Sequence, residues 1–173
     1  MKKTIKILSV ILCLVTVMGA LCACKGEEVP KSFTEHGCTI TLTNYYKYKS
    51  SDVYDFCYEG DERIVLGKKE TFAALSKVGI SSGSSLIEYA KMVVSNNQLG
   101  VQVEKIGGLV TFSYTREVET SMVFTAAHKI TYLAVVYKTG DGFWLIQFAC
   151  EEDKFDETKP IFLEYAKSVT FAA

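Results

Sequence analysis

Two neighbouring segments, residues 130–138 and 142–150, constrain the fold more than any other part of the chain. Both have the length and residue types of strands, and Thr139-Gly140-Asp141 between them is a strong hairpin signal. In the first, Leu133, Val135 and Tyr137 lie on one side, with Tyr132, Ala134 and Val136 on the other. In the second, Phe143, Leu145 and Ala149 oppose Trp144, Ile146 and Phe148. A sheet with one solvated face alternates apolar with polar residues. These strands do not, so they require a sheet centre covered on both sides, and helices are the available cover.

The remaining pattern supplies such a sheet and its cover. Cys38-Thr39-Ile40-Thr41-Leu42 alternates, which predicts a half-buried strand with Cys38, Ile40 and Leu42 facing in. Residues 53–58 and 63–66 read as a hairpin about Gly60-Asp61. Residues 71–78 read as a short helix ending near Gly79. Ser85 and Glu88 match a capping box, followed by Leu86, Tyr89, Ala90, Val93 and Val94 at helical spacing, with Asn96-Asn97 closing the helix. Residues 101–106 and 109–117 form a second hairpin about Gly107-Gly108, and 119–127 read as loop and strand. A last helix has Pro160 in its first turn, where a missing N–H costs nothing, and Ile161, Phe162, Tyr165 and Ala166 on its apolar face. Residues 168–171 end the chain as a short edge strand. The predicted class is α+β: a central, mostly antiparallel sheet of about six to seven strands with helices packed on both faces, in one domain over residues 33–173.

The order of these elements, with Gly142-Phe143-Trp144-Leu145-Ile146-Gln147-Phe148 and the closing Ala166-Lys167-Ser168-Val169-Thr170-Phe171, resembles the PsbP-like α/β sandwich superfamily. That group spans PsbP, Ran-release factor and DcrB-type lipoproteins. The resemblance implies a non-enzymatic accessory role and transfers no site residue.

The amino end reads as an address. Lys2, Lys3 and Lys6 precede an apolar run over residues 7–18, too short to cross a bilayer but suited to a signal peptide. Leu21-Cys22-Ala23-Cys24 resembles the bacterial lipobox. That resemblance implies a signal peptide over residues 1–23 and a diacylglyceryl group, with palmitate-type chains, on Cys24. Two acyl chains hold a protein at a membrane stably where one does not. Residues 24–32 read as the lipidated cysteine and a short polar tether. Fully extended, eight residues reach only about 26–29 Å, which keeps the domain near the lipid surface. Cleavage removes three lysines, leaving 16 basic against 20 acidic side chains. That balance excludes a nucleic-acid binder, and 49% apolar residues exclude a disordered chain.

Chemistry is sparse. His36 and His128 are the only histidines, at no metal-binding spacing. His36 and Cys38 stand two apart, either as a strand-face pair or with His36 as a surface residue before the strand. Of the cysteines that follow Cys24, Cys38, Cys57 and Cys150 allow at most one disulfide, with nothing to choose the pair. Ile80-Ser81-Ser82-Gly83-Ser84-Ser85 is hydroxyl-rich but matches neither a nucleophile elbow nor a P-loop. The acidic run Glu151-Glu152-Asp153 with Asp156-Glu157 lacks calcium-loop spacing and complements a helix dipole. Tyr45, Tyr46 and Tyr48, with Tyr54 and Tyr58 close by, read either as a contact surface or as packing over a sheet edge. No catalytic residue, metal site or cofactor is predicted.

The expected protein is a membrane-anchored extracytoplasmic lipoprotein on the outer face of the cell membrane. It acts as a non-enzymatic accessory or binding module for an envelope protein, a glycan or a small ligand. A small extracytoplasmic hydrolase or metal-dependent enzyme is the alternative. A transporter-associated binding protein comes last, because those usually need two lobes. Cys24→Ser removes the acylated thiol. The variant should lose the mass of the lipid and leave the membrane fraction; unchanged mass and retention would overturn the anchor.

Overall fold

The computed structural model describes residues 27–60, 62–118 and 128–172. The two doubly apolar segments are adjacent antiparallel strands, β8 (His128–Lys138) and β9 (Gly142–Glu151), paired from Ile130↔Glu151 to Lys138↔Phe143. They sit inside a seven-stranded sheet. On the β9 side follow β5 (Arg63–Thr71), β4 (Phe56–Gly60) and β3 (Lys47–Lys49); on the β8 side follow β7 (Leu109–Val118) and β6 (Glu104–Ile106). Every neighbouring pair is antiparallel. The predicted class holds: an α+β fold whose central sheet is covered on both faces.

The covers differ. On one face lies α2 (Leu86–Asn96), which brings Tyr89, Ala90 and Val93 onto Val110, Phe112, Ala134, Val136 and Phe143. Its start is the predicted capping box: Ser85 Oγ accepts from the Glu88 amide at 3.2 Å, and a Glu88 carboxylate oxygen accepts from the Ser85 amide at 2.7 Å. The hydrogen bond from the Ser85 backbone holds the Glu88 carboxyl below its ordinary range.

The opposite face carries α3 (Phe155–Lys167) and also a small second sheet, β1 (Pro30–Glu35), β2 (Cys38–Thr43) and β10 (Thr170–Phe171), in the order β1-β2-β10. Helices alone were expected as cover. The strand at 38–42, apolar mainly on one side, lies outside the central sheet and pairs with β1 and β10. Cys38, Ile40 and Leu42 press onto a core that includes Trp144, Ile146, Phe148 and Phe162. Two bonds tie this layer down: Tyr137 Oη donates to the Ala166 carbonyl at 2.7 Å, and Ser168 Oγ accepts from the Thr41 amide at 2.9 Å. Fully burying each large apolar side chain here contributes about 1.5–3 kcal/mol.

Several boundaries move. Pro30 already pairs with Thr43, so residues 30–32 belong to the sheet and not to a tether. α3 begins at Phe155, after a 3₁₀ turn over Glu152–Lys154, which places Pro160 inside the helix. The apolar face starts a turn earlier than expected because Phe155 and Thr158 are buried. β5 runs on to Thr71 and directly into α1 (Phe72–Leu75), and only Glu104–Ile106 of residues 101–106 is strand. Residues 119–127 lie outside the described residues.

Gly67 of β5 faces the sealed core under the ring of Phe56, which is 1% exposed and packed between Tyr58 and Trp144. A Cβ at position 67 would stand 2.1 Å from that ring. Gly67→Ala should therefore lower unfolding free energy by about 1–3 kcal/mol, read as a fall in the urea midpoint at unchanged slope. An unchanged midpoint would mean the Phe56 ring is free to move.

Candidate functional site

α2 does not reach across the face it covers. Tyr89 stacks on Phe143, with ring centroids 4.4 Å apart and planes 6° from parallel, and so seals one end. Past the last turn of α2 the sheet opens into a groove of about 260 Å³. Leu145 and Gln147 of β9 form its floor, and Phe112 and Tyr114 of β7 one wall. Met92 and Asn96 of α2 close the helix side, and Val53 and Tyr54 stand opposite.

The Val53–Tyr54 wall is loop, yet it is tied at three points. Ser51 Oγ accepts from the Val53 and Tyr54 amides at 3.2 and 3.1 Å. Lys68 Nζ donates to the Val53 carbonyl at 2.6 Å, and Asp55 Oδ2 accepts from the Lys69 amide at 2.7 Å. The predicted strand at 53–58 starts three residues late for this reason: Ser51 and Asp55 take backbone amides that a ladder would otherwise use.

The floor holds the least expected group. Gln147 pairs with Leu66 on one side and Ala134 on the other, both small or apolar, and is 8% exposed. Its Oε1 is buried and has no hydrogen-bond partner among the described residues. A buried acceptor in that state costs about 1–3 kcal/mol.

Charge and rings line the rest. The Arg116 guanidinium lies 5.5 Å from the Tyr114 ring centroid, and Tyr114 stacks on Tyr132 at 4.9 Å with planes 7° from parallel. Burial raises the phenols of Tyr54, Tyr114 and Tyr132, against the opposing pull of Arg116, so they stay protonated and able to donate. At the helix end, Tyr89 Oη donates to Glu70 Oε2 at 2.5 Å, which commits that carboxylate.

The residues singled out from sequence fall elsewhere. Cys24 lies outside the described residues. Tyr46 is 1% exposed and meets Tyr165 edge-on at 6.0 Å, so it belongs to the core. Tyr45 is half-buried and Tyr48 is 49% exposed. The three therefore do not share one open surface, whereas Tyr54 from the same stretch reaches the groove. His36 occupies the β1–β2 turn with φ 50°, exposed, while Cys38 is buried, so they do not form a pair on one strand face.

The other polar clusters have structural work. Cys38, Cys57 and Cys150 are free and buried. Burial pushes the Cys38 thiol up to about 12 and, with help from Glu59, the Cys57 thiol up to about 11; it raises Cys150 as well. In the serine loop, Ser81 and Ser84 hydroxyls accept from the amides of Gly83 and Ser81, and Lys138 Nζ donates to the carbonyls of Ser82 and Ser84. Lys154 bridges Glu62 and Glu151, while Asp156 and Glu157 occupy the first turn of α3. Among the described residues no three potential metal ligands converge, and no helix is long and apolar enough to cross a membrane.

Neither Gln147 nor Arg116 belongs to a sequence motif. The usable signal was a single polar residue in the otherwise apolar run Phe143-Trp144-Leu145-Ile146-Gln147-Phe148-Ala149. Gln147→Leu fills the same space without an unpaired acceptor. It should stabilise the fold by about 1 kcal/mol in chemical denaturation. A loss of similar size would show that the amide is satisfied in the folded protein.

No protein-family model and no curated protein matches the sequence. The structure is similar to the solution structure of cyanobacterial PsbP (CyanoP) from Synechocystis sp. PCC 6803, with a TM-score of 0.51 at 14% identity, covering 87% of this chain and 97% of that one. It is also similar to a crystal structure from Bacteroides thetaiotaomicron, with a TM-score of 0.54 at 10% identity, covering 83% of this chain. The match takes in 48% of the Bacteroides chain, about half its length. Likeness at these identities speaks for the fold alone, and the fold is PsbP-like.

Proposed function

We propose that this protein is a membrane-anchored extracytoplasmic lipoprotein that works as a non-enzymatic binding module, with the groove beside α2 as its ligand site. The observation that carries the binding reading is the groove floor: an unpaired, buried hydrogen-bond acceptor at Gln147 in otherwise apolar surroundings. Folding gains nothing from such a group, whereas a ligand that donates to it does.

The non-enzymatic reading rests on the chemistry around that floor. Beside apolar groups, the groove side chains are amides, phenols held protonated, a thioether, an arginine and a lysine, plus one carboxylate committed to Tyr89. Covalent catalysis needs a nucleophile beside a base. The thiols nearest to that role are buried and held well above the pH range where thiolates form. The anchor reading rests on the lipobox resemblance at Leu21–Cys24 and would hold the groove close to the membrane.

Leu145→Trp tests the groove, because Leu145 is half-buried on its floor. A mixed library of small soluble compounds should contain members that raise the melting temperature of the wild-type protein. A ligand at 100 times its Kd adds about 2.7 kcal/mol of stability. The same compounds should not shift the folded Leu145→Trp variant. Equal shifts in both proteins, or none in the wild type, would overturn the groove as a binding site.

A further inference from the structure

The groove has three recognition features at fixed places, and together they narrow the class of molecule it holds. The first is the floor acceptor. Gln147 has Leu66 and Ala134 as cross-strand partners, neither of which offers a side-chain donor, and it lines the groove, so the groove is the side from which a ligand would supply the missing partner. The partner must be a donor, an N–H or O–H, because a carbonyl oxygen only accepts.

The second is the wall. Tyr114 is locked by its stack on Tyr132, and Phe112 is buried beside it. Fixed ring walls favour a flat ring with which they can stack or meet edge-on. Met92 opposite supplies a polarisable sulfur that also suits a ring edge. The volume of about 260 Å³ lies just below the range of drug-sized sites, which points to a one- or two-ring molecule.

The third is charge. Two cations, Lys68 and Arg116, line the groove against one carboxylate, Glu70, which already accepts from Tyr89. Lys68 is tied to the Val53 carbonyl, and Arg116 lies over a ring with no carboxylate paired to it among the described residues. Among the described residues this excess of positive charge favours an anion at the Arg116 end. Arg supplies a planar fork of donors that matches a carboxylate.

We propose that the groove binds a small aromatic or heteroaromatic carboxylate, its ring between Tyr114 and Met92, its ring N–H or O–H on Gln147 Oε1 and its carboxylate toward Arg116. This rests on the groove being a ligand site and adds the ligand class.

Three probes separate the features: indole-3-acetate has all of them, 1-methylindole-3-acetate lacks the donor, and 3-methylindole lacks the anion. Each is titrated into the full-length protein in detergent by isothermal calorimetry. Indole-3-acetate should bind best, with at least a fivefold loss for each of the other two. Gln147→Leu, which is expected to fold more stably, should bind the two acetates equally. Arg116→Gln, an exposed change, should weaken indole-3-acetate but leave 3-methylindole unaltered. Equal affinity for all three probes, or tighter binding of 3-methylindole, would overturn the ligand class while leaving the groove a binding site. Absence of binding by every probe would overturn the class as well, and would reach the binding reading itself only if the compound library also fails to shift the wild type.

Discussion

Burial of β8 and β9 on both faces is the condition on which everything else in this structure depends. One polar face would have let the sheet stand with a single layer of cover. With apolar residues on both, each face needs its own layer, and the two layers are unequal. The face under α3 is sealed by a helix and a three-stranded sheet together, closing over Trp144, Phe148 and Phe162. Among the described residues the other face has α2 as its one long helix, with eleven residues, or about 16 Å at 1.5 Å per residue. The ten residues of β9 run about 34 Å. A helix of half the strand's length cannot close that face, and the groove is the geometric remainder.

The same length mismatch explains which residues surround the groove. Where α2 lies, the facing positions of β9, β8 and β7 are Phe143, Val136 and Val110, all closely packed. Past its end the facing positions become Gln147, Tyr132, Tyr114 and Arg116, which combine an apolar body with a polar tip. The tied loop at Val53–Tyr54 narrows the opening from the β4 edge. The site is therefore built mostly on strands and a capped helix, which hold side chains more rigidly than loops do.

Much of the frame was legible in the sequence. Period-two alternation marked β2, double-sided apolar runs marked β8 and β9, and Ser85 with Glu88 marked the start of α2 to the residue. These signals are local, and burial or capping enforces each one. What failed was either long-range or competitive. Whether residues 38–42 joined the central sheet or lay over it depends on contacts with β10, more than 120 positions away. Pro160 marked a helix start by its local preference, but burial of Phe155 and Thr158 moved that start earlier. The tyrosines of 45–58 share one composition and separate into core, rim and groove because a turn and three strand ends intervene. The groove was legible only as an inconsistency, one glutamine in a run that otherwise asks for apolar residues.

That inconsistency distinguishes what the fold contributes from what this chain adds. A PsbP-like frame specifies a covered sheet, and the frame would be served at least as well by leucine at position 147. Local choices in natural sequences usually agree with the fold, and departures concentrate where function requires them. Gln147 departs at a place where the described residues leave the cover incomplete, beside rings that are themselves stacked and an arginine held over one of them. A buried amide could instead be structural, bridging strands or capping a turn, but the missing partner at Oε1 argues against that role. The frame is shared with proteins only 10–14% identical to this one. So whatever this protein does specifically has to reside in side chains such as these, and not in the arrangement of strands that carries them.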